Sequence, residues 1–349
     1  PQTLFKGLAA PDLKPYVALM RSHDIDALRR GLERYDRSQG VWRGTGKKIA
    51  REQLSSEEAW RAALSDVKIA RDITLENKWH PAVVLEVGSN EARVGLEGVQ
   101  EDGDGHWIPA KDVQWARKRL ADGKLGRKAQ VAGDLLEVGD VLHVRKMTAD
   151  DNGAFIPWTI RQVPEVQGGF MAMDVNSGRV IAMQGGFSYQ HSVFNRATQA
   201  QRQPGSSFKP FVYATAIEQL GMSPCDSILD GPFMIRKGEH NVTEDWEPRN
   251  SDNKYRGMVT LKRALANSIN TVSAKLIDKT GPEAVVELTH KLGVTSEIPA
   301  QPSIALGAVE ITVQDMVAAY STFANQGVYV KPQFLRKIED FDINTLEVQ

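Results

Sequence analysis

The chain has 349 residues, 41% hydrophobic and 25% charged, proportions of a folded protein and not of a disordered or collagen-like one. Its 43 basic and 44 acidic side chains leave a formal charge of -1, so no global positive field exists to gather nucleic acid, and no nucleic-acid partner is expected. The single cysteine, Cys225, excludes an intramolecular disulfide and a cysteine metal cluster.

The opening Pro1-Gln2-Thr3-Leu4-Phe5-Lys6 carries neither an initiator Met nor the apolar run of a signal peptide. No stretch approaches the ~20 apolar residues that span a bilayer. The chain therefore reads as a processed or trimmed piece, with any membrane anchor expected upstream. Residues 1–76 form a helix-leaning linker region: Leu28, Leu32 and Tyr35 recur at helical spacing, and a second helical stretch runs from Ser56 to Ile69.

Residues 77–150 change to short β-rich runs, at 82–87, 92–96 and 138–144, separated by Gly- and Asp-rich turns; a small all-β barrel is expected. The acidic turn Glu101 to Gly105 resembles a calcium loop, but counting from Asp102 the place of the bidentate Glu is taken by Val113, so it reads as a solvated turn. The seven histidines are scattered without ligand spacing. Neither a metal nor a cofactor is expected.

Residues 151–349 open with apolar runs at 169–174 and 179–183, joined across Val175-Asn176-Ser177-Gly178 as a β-hairpin suited to a central sheet. Helical segments dominate from about 207 to 325, including Val285 to Leu292 and Val313 to Asn325. The whole reads as a multi-domain α/β protein.

The chemistry concentrates at Arg202-Gln203-Pro204-Gly205-Ser206-Ser207-Phe208-Lys209-Pro210. Pro and Gly break the chain, an apolar helix follows, and i, i+3 spacing puts Lys209 on the face of Ser206. A serine hydroxyl is a weak nucleophile until a base takes its proton, and a lysine serves as that base only if burial and nearby positive charge lower its pKa. The helix N-terminus favours this and offers N–H groups to an oxyanion. Ser-x-x-Lys recurs at Ser65 to Lys68 and at Ser251 to Lys254, so the frame around Ser206, not the pattern, selects it.

Enzymes of this kind add a Ser-x-Asn element, in which the hydroxyl relays protons and the amide holds substrate. Ser251-Asp252-Asn253 lies in a polar run, whereas Ser268-Ile269-Asn270 stands between the helical segments Leu261 to Ala266 and Thr271 to Ile277; Ser268 and Asn270 are preferred. Lys279-Thr280-Gly281 spells the third element but reads as the end of one helix and the start of the next, and the genuine strand is expected beyond Gln349. Trp246 is a candidate wall of the substrate cleft, although a Trp beside Pro commonly packs. Asp226, Asp230 and Asp245, set among Gly and Pro, read as turn residues.

The segments Phe194 to Phe211, Trp246-Glu247-Pro248-Arg249-Asn250, Leu265 to Asn270 and Ser303 to Glu310 closely resemble class A penicillin-binding proteins, especially the 1A type of Gram-negative bacteria. The match covers about 155–335. More weakly, 77–150 is similar to the oligonucleotide/oligosaccharide-binding-type (OB-like) barrel of such proteins, and Ala27 to Gly44 to the linker before it. The resemblance implies a penicillin-binding serine-transpeptidase fold over 151–349, incomplete because its third motif is missing.

It implies a D,D-transpeptidase that cross-links peptidoglycan stem peptides through Ser206, with Lys209 as base and Ser268 and Asn270 as the second motif. β-Lactam antibiotics would acylate the same serine. It also implies the periplasmic side of the inner membrane, anchoring through a segment missing here, glycosyltransferase activity only in a longer parent protein, and contacts with cell-wall synthesis regulators. The alternatives are a β-lactamase or penicillin sensor, and a non-catalytic cell-wall-binding fragment.

Overall fold

The computed structural model describes residues 14–75, 77–100, 105–120, 122–146, 158–335, 337–339 and 345–348, with side chains within 25–335. The turn read at Glu101 to Asp104 lies outside them. The chain divides into two compact units, one of Ala18–Gly169 with Gln184–Asn195, the other taking in Phe170–Met183 and Arg196–Gln349.

In the first unit, α1 (Lys14–Ser38) contains the predicted helical repeat. Leu32 packs toward buried Ile73, Trp79 and Phe187, whereas Tyr35 faces solvent. α2 (Glu57–Asp66) begins at Ser56, whose Oγ accepts from Ala59 N at 3.2 Å, and carries Glu57 and Glu58 where free backbone N–H groups favour negative charge. α3 (Ala110–Val113) is a single turn.

The main sheet orders Trp158–Arg161, Asp140–Lys146, His80–Val87, Ala92–Leu96 and His106–Ile108, all antiparallel, with Lys47–Lys48 added to the Asp140–Lys146 strand. Strand alternation places Ala82 and Val84 in one core with Val94, Leu142, Val144 and Ile160. Val83 and Val141 point the other way and are covered by Trp60 and Leu64 of α2. The run 82–84 is unbroken by polar residues because both faces are buried. Gly95 lets the Trp60 ring lie on the sheet, since a Cβ there would stand 2.8 Å from it.

The two edge strands meet, Trp158 Nε1 donating to His106 Nδ1 at 3.2 Å, so the sheet curls back on itself as a barrel does. Besides strands within 77–150, it draws in Lys47–Lys48 and Trp158–Arg161.

The second unit opens with the predicted hairpin, Phe170–Met173 and Val180–Gln184. Asp174 closes its turn by accepting from Ser177 N and Oγ at 2.8 and 2.6 Å. Five helices follow among the described residues: α4 (Lys209–Leu220), α5 (Leu261–Ala266), α6 (Asn270–Thr280), α7 (Pro282–Lys291) and α8 (Val313–Ala324). α8 packs on the hairpin. α4 is apolar nearly all round and accordingly runs through the core, where Phe211, Val212 and Ala216 meet Val272, Leu276, Ile277 and Val285. Thr260 and Thr312 cap α5 and α8 with their hydroxyls. The second unit thus combines small two-stranded sheets with packed helices.

Candidate active site

Pro204 and Gly205 turn the chain into a single 3₁₀ turn, Gly205–Phe208, that continues directly as α4. Gly205 has φ 55, and Gly307 lies so close that a Cβ on it would stand 2.0 Å from Gly205 O. Pro210 falls in the first turn of α4, where its missing N–H would have had no partner anyway. Ser206 is left exposed at the surface while Lys209, one turn on, is 1% exposed. Ser207 N donates to Pro204 O at 3.2 Å, so this N–H is not free for an oxyanion.

Lys209 reaches Ser206 through Ser268, and not directly as the i, i+3 spacing suggests. Its Nζ donates to Ser268 O at 2.7 Å, Ser268 Oγ at 3.0 Å and Asn270 Oδ1 at 2.6 Å. Ser268 Oγ in turn lies 2.8 Å from Ser206 Oγ. A buried ammonium has three donors to satisfy, and the α5–α6 junction supplies the acceptors. Burial lowers the Lys209 pKa from 10.5 to about 8.

Ser268 takes φ 52, a left-handed conformation that in a non-glycine residue stores about 1–3 kcal/mol. The backbone is held there by Ser268 N donating to Leu265 O and Ile269 N to Ala264 O, at 3.0 and 2.9 Å, which close α5. The strained conformation presents both the carbonyl and the hydroxyl of Ser268 to Lys209. Asn270, first residue of α6, donates through Nδ2 to Arg249 O at 2.8 Å and so turns Oδ1 to Lys209.

A family described as the penicillin-binding protein transpeptidase domain matches residues 168–349, just over half of the chain. The chain belongs to this family. The penicillin-binding protein OB-like domain matches residues 42–166, a range that includes the Lys47–Lys48 and Trp158–Arg161 strands. Penicillin-binding protein 1A of Rickettsia typhi is 33% identical over 323 residues, 93% of this chain and 37% of that protein. That of Vibrio cholerae is 32% identical over 309 residues, 88% of this chain and 36% of the relative. The crystal structure of penicillin-binding protein 1A from Haemophilus influenzae superposes with a TM-score of 0.75 at 26% identity, covering 94% of this chain and 44% of that one. The chain thus spans little more than a third of the curated relatives' length.

Within this penicillin-binding fold the other copies of each pattern lie elsewhere. Ser65 ends α2 on the surface, its Oγ donating to Ala62 O. Ser251 and Asn253 are exposed on a turn, with Asn253 at φ 54. Lys279-Thr280-Gly281 is the last turn of α6 and its C-cap, and at 1.5 Å per residue Lys279 is about 14 Å along the axis from Asn270. Trp246 is half-buried against the core, its backbone paired with Ile235.

Asp226 and Asp245 accept from nearby backbone N–H groups as turn residues do. Asp230 does not fit that reading. It ends a strand at 1% exposure and joins Asn250 and Thr271 behind the site. A short Asp-Gly-Pro sequence signals a turn, and nothing local signals partners 20 and 41 residues away. Among the described residues no group of His, Cys, Asp or Glu is arranged to hold a metal ion, and no helix is long and apolar enough to cross a membrane.

Proposed function

We propose that this unit is a D,D-transpeptidase that cross-links peptidoglycan stem peptides through an acyl-enzyme on Ser206. The observation that carries the reading is the continuous path Lys209 Nζ to Ser268 Oγ to Ser206 Oγ, with steps of 3.0 and 2.8 Å. With a pKa of about 8, about a tenth of Lys209 is neutral at pH 7 and able to accept a proton. The Ser206 proton passes to the Ser268 hydroxyl as the hydroxyl's own proton passes to Lys209.

Ser206 Oγ then attacks the carbonyl of the D-Ala-D-Ala bond, and the C–N bond breaks. The departing D-Ala amine takes the proton back along the same path. An amine from a neighbouring stem peptide attacks the ester, forms the cross-link and releases Ser206 with its proton restored. A penicillin, opened by the same attack, would stay on the serine, because its leaving amine remains tethered to the acyl group. The buried Asp230 is not free to activate water for hydrolysis, being committed to Asn250, Thr271 and Arg256. The reading extends to the periplasmic side of the bacterial inner membrane, where the cross-linked polymer lies.

Fluorescent penicillin tests the assignment. Labelling is expected to vanish in Ser206→Ala and to persist in Ser65→Ala and Ser251→Ala; undiminished labelling of Ser206→Ala would refute the reading.

A further inference from the structure

α6 starts without a cap of its own, because Ile269 before it has no side-chain acceptor for the first free N–H groups. The acceptor comes from 20 residues upstream: Asn250 Oδ1 takes Asn270 N at 2.9 Å and Thr271 N at 3.3 Å. Asn250 is 5% exposed, and both hydrogens of its amide are engaged, Nδ2 donating to Asp230 Oδ1 and to Lys254 O at 2.8 Å each. Its orientation is therefore fixed, oxygen toward the helix and nitrogen toward the carboxylate.

Asp230 is itself held in place. Its carboxylate accepts from Thr271 Oγ1 at 2.7 Å and Arg256 N at 2.9 Å, with the Arg256 guanidinium 3.6 Å away. Burial, the largest single influence, raises its pKa, but the Thr271, Asn250 and Arg256 hydrogen bonds and the Arg256 charge together leave it below the ordinary value. It is an ionised acceptor at neutral pH, closed off from solvent and from any substrate.

Consecutive residues thus grip Asn270 from two sides, Arg249 O on its amide nitrogen and Asn250 Oδ1 on its backbone N–H. The remaining polar atom of that side chain, Oδ1, is the one that Lys209 Nζ meets at 2.6 Å. We propose that Asp230 and Asn250 are positioning residues of the acyl site, setting the first turn of α6 and thereby holding Asn270 Oδ1 against Lys209 Nζ. The proposal rests on the reading of Ser206 as the acylated residue. Misplacing a reacting group by about 1 Å can cost about a hundredfold in rate.

The test is the second-order rate of Ser206 acylation by a fluorescent penicillin, measured per labelled site. Asn250→Ala is expected to lower it about tenfold or more, whatever its melting temperature. Asn250→Asp sets a second carboxyl beside Asp230, and one of two adjacent buried carboxyls stays protonated to higher pH than an isolated one. Its O–H can then replace the lost amide donor. The rate of Asn250→Asp relative to wild type is expected to rise as pH falls from about 8 to about 6, while the same ratio for Asn250→Ala stays flat. Should Asn250→Ala fail to fold, the Asn250→Asp ratio decides.

Wild-type acylation in Asn250→Ala, or a pH-independent ratio in Asn250→Asp, overturns the proposal. A wild-type protein that does not label at Ser206 would instead overturn the acyl-site reading beneath it.

Discussion

Replacing Lys209 with methionine is expected to abolish acylation and, at neutral pH, to stabilise the fold. Lys209 is 1% exposed as a residue, and burial brings its pKa from 10.5 to about 8. A difference of about 2.5 units at about 1.36 kcal/mol each is a penalty of about 3 kcal/mol for keeping the lysine charged in the folded state. Below pH 8 the lysine is charged both folded and unfolded, and the penalty is complete. Between pH 8 and 10.5 the folded state sheds its proton first, and the penalty fades.

Methionine fills the same channel without the charge, and the acceptors it abandons, on exposed Ser268 and half-buried Asn270, can be met by water where they stand. Allowing about 1 kcal/mol for each of the two hydrogen bonds that a neutral amine can donate leaves a net gain of about 1 kcal/mol at pH 7. Urea unfolding of both proteins at pH 7 and pH 9.5 measures it. The advantage of Lys209→Met should shrink at the higher pH as the wild type recovers. A variant less stable at pH 7, or an advantage that does not change with pH, would refute the account of Lys209 as a buried, destabilised base.

The same pKa governs the reaction. Stopped-flow acylation by a penicillin should rise about tenfold per pH unit below about 8 and level off above it, and a rate independent of pH between 6 and 8 would remove Lys209 as the base. Ser268→Ala should slow acylation by about a hundredfold or more because it breaks the proton path, while Ser251→Ala leaves it unchanged; the reverse order would move the second motif to Ser251. Gly307→Ala should destabilise the unit by about 2 kcal/mol or more in thermal melting, since its Cβ would stand 2.0 Å from Gly205 O and its φ is 74. A melting temperature equal to wild type would mean that the Gly205 turn can yield.

Where the signal was local, the sequence carried it. The Leu28 and Leu32 spacing lies in α1, the 82–84 run is a strand covered on both faces, and Pro204-Gly205 with the apolar stretch after it is a turn leading into a buried helix. Ser268 and Asn270 were legible as a pair because two helical patterns flank them. How they are used was not. Lys209 bonds across 59 and 61 residues, and a buried ammonium's choice of acceptors follows from packing that i, i+3 spacing cannot express.

Asp230 shows the same limit more sharply. Beside Gly231 and Pro232 it has the local signature of a turn, yet it is an interior carboxylate defined by Asn250, Arg256 and Thr271. The Lys47–Lys48 strand was hidden for another reason, two residues being too few to show a period of two.

The most direct measurement is mass spectrometry of the protein after reaction with a penicillin, first intact and then digested. One added penicillin mass per chain is expected, stable over many minutes and located on the peptide that contains Ser206. An adduct on any other residue, or no adduct on a folded protein, would contradict it.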